Sequence, residues 1–280
     1  EDLLIAARKG SPLAVGHGEG EMFVGSDAIA LAPMTNQITY LDEGDRAVIT
    51  RTSLEIHDHT GAVVTRPVRT VQIDAAQIDK GGYKHFMAKE IAEQPAVLTR
   101  TLDHYLHGED LVLPEPALDF AGVNRIVMVA CGTASYACYV AKYWFEQMAG
   151  IPVEVDVASE FRYREPPVTP GTLAIFVSQS GETADTLAAL RYCRGKAETI
   201  LSVVNVTESS IARESDIVLP IRAGAEIGVA STKAFTCQLL TLHLLVLRAA
   251  QQRGRLTPAQ LSERLADARA LPGLVNHALA

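Results

Sequence analysis

The stretch "IFVSQSGETADTLAALR", Ile175–Arg191, leaves an apolar run, crosses five small or polar residues and enters a segment whose leucines, Leu187 and Leu190, recur at helical spacing. The run begins earlier, at "TLAIFVS" (Thr172–Ser178), and it lacks the alternation of a half-exposed strand. A short continuous apolar run of this kind reads as a strand buried on both faces. The pattern repeats on either side: "NRIVMVACG" (Asn124–Gly132), "PVEVDVA" (Pro152–Ala158), "TILSVVNV" (Thr199–Val206) and "DIVLPIR" (Asp216–Arg222) read as further strands. Helical segments separate them. These are "TASYACYVAKYWFEQMAG" ending at Gly150, "SEFRYRE" (Ser159–Glu165), Glu182 to about Arg194, "SSIARES" (Ser209–Ser215) and the long apolar "AFTCQLLTLHLLVLRAA" (Ala234–Ala250). Strands alternating with helices predict a doubly wound α/β domain with a parallel sheet covered on both faces.

Upstream the texture differs. Between Pro12 and Val64, turn clusters "GHGEG", "DEGD" and "HTGA" separate the short runs "MFVG", "ITYL", "AVITR" and "SLEIHD". This spacing predicts consecutive β-strands, with a short helix at "SDAIALA". From Val71 the pattern decays into the polar, glycine-ended "QIDAAQIDKGG", which reads as a connector. Two domains are therefore expected, residues 1–82 and 83–280, the second with flanking helices. The second opens on a helix from Lys84 to Leu106, with a break expected at Pro95.

Composition narrows the function. The 280 residues are 48% hydrophobic and 21% charged, as in ordinary globular proteins, and the net charge of −8 with no basic run argues against nucleic acid. Cys131, Cys138, Cys193 and Cys237 show no paired spacing and no neighbouring histidines, so neither a metal nor a cofactor is expected and buried free thiols are. The opening "EDLLIAARKG" lacks the basic end and apolar run of a signal peptide, and a cytoplasmic location is expected. Polar residues interrupt Ala234–Ala250, leaving it short of the ~20 apolar residues of a bilayer span; His243 within it reads as a satisfied core or boundary residue.

In doubly wound sheets ligands gather beyond the carboxyl ends of the strands. Three strand-to-helix corners there carry hydroxyls: "SQSGET" (Ser178–Thr183), "ACGTAS" (Ala130–Ser135) and the end of "GAEIGVASTKAF" (Gly224–Phe235). A helix N-terminus offers unpaired N–H groups, Gly181 lets a ligand approach the backbone, and Ser178, Gln179, Ser180 and Thr183 add side-chain donors. Hydroxyls and an amide without a lysine suit a phosphate monoester, and the nucleotide-binding pattern G-x-x-x-x-G-K-[ST] is absent. The plain alternative at each corner is a helix cap.

Taken together, "SQSGETADTL", "ASEFRYR", "YWFE", "RESD" and "EIGVASTKAFT" resemble the first sugar-isomerase (SIS) domain of the glutamine:fructose-6-phosphate amidotransferases, the glucosamine-6-phosphate synthases. "GSPLAVGHGEGEMFVGSD" resembles the closing part of that family's Ntn-type glutaminase domain. The resemblance implies an α/β SIS domain preceded by a β-rich glutaminase remnant, and an enzyme that makes glucosamine 6-phosphate from fructose 6-phosphate and glutamine as a homodimer. It further implies a substrate site of Gly132, Thr133, Ser178, Gln179, Ser180, Thr183, Val229 and Ser231. No cysteine precedes Cys131, and the family's acid/base groups and Schiff-base lysine lie in its second SIS domain. The chain is thus expected to be an internal part of the enzyme with no catalytic residue of its own. Ala134 departs from the family pattern, which has serine directly after "CGT"; Ser135, one position on, points about 100° away on a helix and is not expected to replace it. Glu226 and Lys233 read as an exposed ion pair rather than an acid/base pair, and Arg162 and Arg164 read equally as site or surface residues. Two other readings are a sugar-phosphate-sensing domain of a transcription regulator and a stand-alone sugar-phosphate isomerase. A regulator would carry a basic helix-turn-helix, and the β-rich first segment does not resemble one.

Overall fold

The computed structural model describes residues 3–71, 79–114, 116 and 118–280. The chain divides into two compact units, Glu1–Gly81 and Gly82–Ala280. Most of the expected connector, residues 72–78, lies outside the described residues.

The first unit is built from two four-stranded antiparallel sheets. One has the order β1 (Leu4–Ala7), β5 (Arg46–Ile49), β6 (Leu54–His57), β7 (Val63–Val64). The other has the order β3 (Met22–Gly25), β2 (Ala14–His17), β4 (Gln37–Tyr40), β8 (Val68–Thr70). Helix α1 (Ala28–Leu31) starts where Asp27 accepts from the Ala30 N–H. Ala6, Ala47, Ile49 and Ile56 of the first sheet share one apolar cluster with Val15 of the second. Arg66 grips the buried Asp45 with two hydrogen bonds, of 2.8 and 2.9 Å. Burial, the largest single influence, would raise the Asp45 pKa, but the Arg66 bonds, the Asp42 N–H and the Arg66 charge together outweigh it and hold this carboxyl below its ordinary value. Among the described residues strand β1 is an edge, paired only with β5, and Leu4 and Ile5 on it are exposed.

The second unit is the doubly wound domain. Its five strands, β11 (Arg125–Ala130), β12 (Val153–Val157), β13 (Thr172–Ser178), β14 (Thr199–Val204) and β15 (Ile217–Pro220), are all parallel in the order β12-β11-β13-β14-β15. Every residue of β13 is buried, as a strand covered on both faces requires. Successive side chains divide between two cores: Leu173, Ile175 and Val177 join one, Ala174 and Phe176 the other. The first core takes helices α2 (Phe86–Tyr105), α3 (Thr133–Trp144) and α7 (Lys233–Gln252); the second takes α4 (Ala158–Arg164), α5 (Ala184–Cys193) and α6 (Ser210–Arg213). Helix α7 is long and apolar enough to cross a bilayer, yet 67% of its apolar window is buried inside the unit.

Two features differ from expectation: the course of α2 and a hairpin after it. Helix α2 runs unbroken through Pro95. Proline cannot donate to the carbonyl of Ile91, four residues back, and the side-chain amide of Gln94 donates there instead at 3.1 Å. Beyond α2, residues Leu106–His107 (β9) and Asp110–Leu111 (β10) form a two-residue-per-strand hairpin around Gly108. The chain closes with α8 (Pro258–Leu279), which starts on a capping box at Thr257 and Gln260 and holds Pro272 within it. Helix α3 ends in a π-helical turn, Phe145–Ala149, stopped by Gly150 in the left-handed region.

The sheet order positions the site. From β11 the chain passes to β12 on one side, and from β13 to β14 on the other, so the carboxyl ends of β11 and β13 flank the point where the winding reverses. Helices α3 and α5 leave that point on opposite faces of the sheet.

Candidate functional site

The corner after β13 begins at Ser178, buried at the strand end. Its Oγ accepts from the Gly181 N–H at 3.0 Å and shares a hydrogen bond with Thr183 Oγ1 at 3.0 Å. Ser180 Oγ accepts from the Glu182 N–H at 3.2 Å. The hydroxyls thus shape the turn as acceptors and keep protons to donate: that of Ser180, and one of the Ser178–Thr183 pair. Thr183 is the N-cap residue of α5 but gives it no side-chain cap, so the first amides of that helix are left to other acceptors. The helix therefore begins at Ala184 rather than Glu182. Gln179 is half-buried, and its side chain makes no hydrogen bond with another described residue.

Gly181 is required twice over. Its φ is +66°, and a Cβ there would fall 1.9 Å from Ser209 Oγ. The loop after β14 packs this tightly because two groups hold it: Glu182 accepts from the Ser210 N–H at 2.7 Å, and the Asn205 N–H donates to the Gln179 carbonyl at 3.2 Å. Asn205, Ser209 and Glu182 support the corner, and sequence reasoning passed over them. The clue was available in "VVNV", where an amide side chain ends a buried apolar strand.

After β11 the backbone turns at Gly132 (φ +57°, ψ −138°) into α3, again without a side-chain cap. No atom lies within 4 Å of where a Gly132 Cβ would sit, so conformation rather than crowding calls for glycine. The Thr133 hydroxyl makes no hydrogen bond with another described residue. Ala134 packs against the larger apolar core. Ser135 is buried and donates to the Gly132 carbonyl at 2.7 Å, so its hydroxyl is committed to the turn.

The third corner corrects the expectation for Glu226 and Lys233. They do not pair. Glu226 caps α7, accepting from the N–H groups of Thr232 (2.9 Å) and Ala234 (3.1 Å) and from Ser231 Oγ (2.9 Å). Lys233 is buried and reaches Glu93 of α2 at 2.6 Å. Ser231 therefore serves the cap, while the Val229 side chain is fully exposed. Asn205 ties this segment to the first corner through Ala223 (2.9 Å) and Gly224 (2.6 Å).

The remaining candidates resolve as supports. Arg162 bonds Asp185 in the first turn of α5 at 2.7 Å, which keeps the guanidinium charged; Arg164 bonds Glu154 and Asp156. No lysine or histidine hydrogen-bonds Ser178, Ser180 or Thr183, so none of these hydroxyls is activated as a nucleophile among the described residues. All four cysteines are free. Burial pushes Cys138 up to about 12 and Cys193 and Cys237 to about 11, leaving them as neutral thiols. His243 meets Trp144 edge-on at 4.9 Å, and its Nδ1 is buried without a hydrogen-bond partner among the described residues, so this histidine is not satisfied as expected. Among the described residues no three His, Cys, Asp or Glu side chains converge as a metal site would.

The corner is thus suited to binding: within Ser178–Thr183 it gathers hydroxyls with protons to donate, an amide, and helix N–H groups without a side-chain cap. The family model of the SIS domain matches residues 119–248, which span all five parallel strands and the two corners at the winding reversal. The chain carries a SIS domain. Around it the likeness is broader. The isomerizing glutamine–fructose-6-phosphate aminotransferase of Bradyrhizobium diazoefficiens is 55% identical, covering 100% of this chain and 46% of that protein. That of Brucella abortus is 54% identical with the same coverage. The C-terminal domain of the Francisella tularensis glucosamine-fructose-6-phosphate aminotransferase superposes with a TM-score of 0.68 at 42% identity, covering 70% of this chain and 56% of that one. The chain spans about half the length of the curated relatives it matches (46%). Both the SIS domain and the β-rich first unit lie within the matched region.

Proposed function

We propose that this chain is the sugar-phosphate-binding part of a glutamine–fructose-6-phosphate aminotransferase. The whole enzyme would convert fructose 6-phosphate and glutamine to glucosamine 6-phosphate and glutamate, working as a homodimer in the cytoplasm. The observation that carries the reading is the Ser178–Thr183 corner at the winding reversal, where donors converge and no lysine contributes. Such donors bind a phosphate monoester by hydrogen bonds rather than by charge pairing. Gly132 and Thr133 face the same reversal from β11 and would take the sugar end, with Val229 and Ser231 closing the far side. Similarity to the aminotransferases extends through the β-rich unit, which favours this reading over a regulator or a stand-alone isomerase.

Chemistry is expected elsewhere in the enzyme. The thiols that could serve glutamine hydrolysis are mostly buried and neutral, and Lys233 is occupied by Glu93. This chain alone would bind the sugar phosphate without turning it over. Calorimetry with fructose 6-phosphate tests the site. Binding should weaken in the Ser178→Ala/Ser180→Ala double variant by roughly 0.5–1.5 kcal/mol for each neutral hydrogen bond lost, and more where the phosphate charge strengthens it. Equal binding by wild type and the double variant would remove the corner from the site.

A further inference from the structure

Helix α2 lies against the segment that follows β15 and is bonded to it at successive turns. The Tyr105 hydroxyl donates to the Pro220 carbonyl (2.8 Å) and Thr101 Oγ1 to that of Ile221 (2.7 Å). Nearer the start of α2, Glu93 holds Lys233, and Glu90 holds the middle of the loop. Glu90 is 2% exposed; its Oε1 accepts from the N–H of Ile227 at 2.6 Å and of Gly228 at 3.0 Å. Residue 228 must be glycine for this approach, because a Cβ there would sit 2.4 Å from Glu90 Oε2. Its φ is not in the left-handed region, so closeness alone sets the requirement.

A buried carboxylate spent on two loop amides is a costly way to fix a loop that α7 already terminates. What it achieves is local. Val229 and Ala230, both exposed, are left as a two-residue tip between the Glu90 anchor at Ile227–Gly228 and the Glu226 anchor that begins at Ser231. Upstream the same segment is tied through Asn205 to the Gln179 carbonyl. The tip is thereby fixed relative to the phosphate corner before any ligand arrives, and a prefixed loop spares the ordering cost that binding would otherwise carry.

We propose that Glu90 is a positioning residue for the sugar: through Ile227 and Gly228 it holds the Val229–Ala230 tip where a sugar hydroxyl can bond its backbone, and it leaves the phosphate grip untouched. The proposal rests on the sugar-phosphate reading of the site. It therefore requires a selective effect, on a sugar phosphate and not on inorganic phosphate.

The test follows both ligands by NMR titration of the 280-residue chain, together with hydrogen exchange at the amides of Ile227 and Gly228. Glu90→Gln, which keeps one acceptor oxygen but loses the charge, and Gly228→Ala, which forces the carboxylate away, should both speed exchange at those amides. Each should weaken fructose 6-phosphate about tenfold, the worth of one charge-assisted hydrogen bond, and change inorganic phosphate by less than about twofold. Glu90→Asp, a methylene shorter, should fail to restore either. Unchanged fructose 6-phosphate affinity despite faster exchange would overturn the proposal, as would an equal loss for both ligands, which marks a general structural role. Should Glu90→Gln prevent folding, Gly228→Ala carries the same comparison. Failure of the wild type to bind fructose 6-phosphate overturns the functional reading, and this proposal with it. Loss in Ser178→Ala/Ser180→Ala but not in the Glu90 and Gly228 variants sinks the positioning role alone.

Discussion

At Gly181 two demands meet on one residue, and they can be separated. Alanine there must hold a φ of +66° and must place its methyl 1.9 Å from Ser209 Oγ. The conformational part costs an L-residue about 1–2 kcal/mol, and the collision displaces either the corner or the loop after β14. Gly181→Ala should lower unfolding free energy by about 2–4 kcal/mol in a denaturant titration and abolish sugar-phosphate binding. Adding Ser209→Gly removes the collision; as an N-cap, glycine in place of serine costs only a few tenths of a kcal/mol, so the double variant should recover all but the conformational part. No recovery in the double variant would show that the close approach is not what excludes a side chain. The hydroxyls of this corner could be read from the sequence because their spacing repeats a strand–turn–helix design. Ser209 and Glu90 could not, and of Asn205 only the amide at a strand end was legible and not its partners, since each acts on a segment at least 18 residues away that only the sheet order and the run of α2 bring near.

Among the elements, α2 shows why a proline rule failed. The rule counts the backbone bond that Pro95 removes and the strain of its ring, and it predicts a break. It has no way to count Gln94, whose amide donates to the Ile91 carbonyl while its Oε1 accepts from Thr236 Oγ1 of α7 at 2.6 Å. Gln94→Ala should therefore cost about 1–3 kcal/mol, two hydrogen bonds' worth, and loosen the proline turn, measured as faster hydrogen exchange in residues 91–99 than elsewhere in α2. Uniform exchange along α2 in that variant would mean that packing alone keeps the helix straight. The three inner parallel strands were legible for the opposite reason: burial on both faces makes their sequences nearly continuous in apolar residues, a pattern no local substitution hides. The hairpin β9–β10 offers two residues per strand, too few to show a period, and Pro272 and Gly273 mask α8.

For the second unit as a whole, the histidine of α7 sets a direction for acid sensitivity. Burial, and the positive charge of Arg264 after it, hold the His243 pKa below 6.5, with Asp267 opposing. The folded chain thus keeps His243 neutral where an unfolded chain would take up a proton. Stability from this source is complete above pH 6.5 and falls as pH drops below it toward the folded value, by up to about 1.4 kcal/mol per pH unit for one proton. The denaturant midpoint should decline between pH 7.5 and pH 5.5, and His243→Leu should remove part of that decline. His104, lowered by burial and by Arg222, contributes the same way and would leave a residual slope. A variant as acid-sensitive as wild type would place the proton uptake elsewhere.

The first unit carries a hazard of another kind. Among the described residues one rim of strand β1 has no neighbour, since β5 pairs with the other, and the side chains beside that rim include an Ile5 that is 67% exposed. Open amides and carbonyls flanked by leucine and isoleucine are a template for another extended segment, without regard to whose it is. Concentrated preparations of the chain should accordingly tend toward edge-to-edge strand pairing through β1, and a segment that covered that rim would act as a stopper against aggregation as well as a piece of fold.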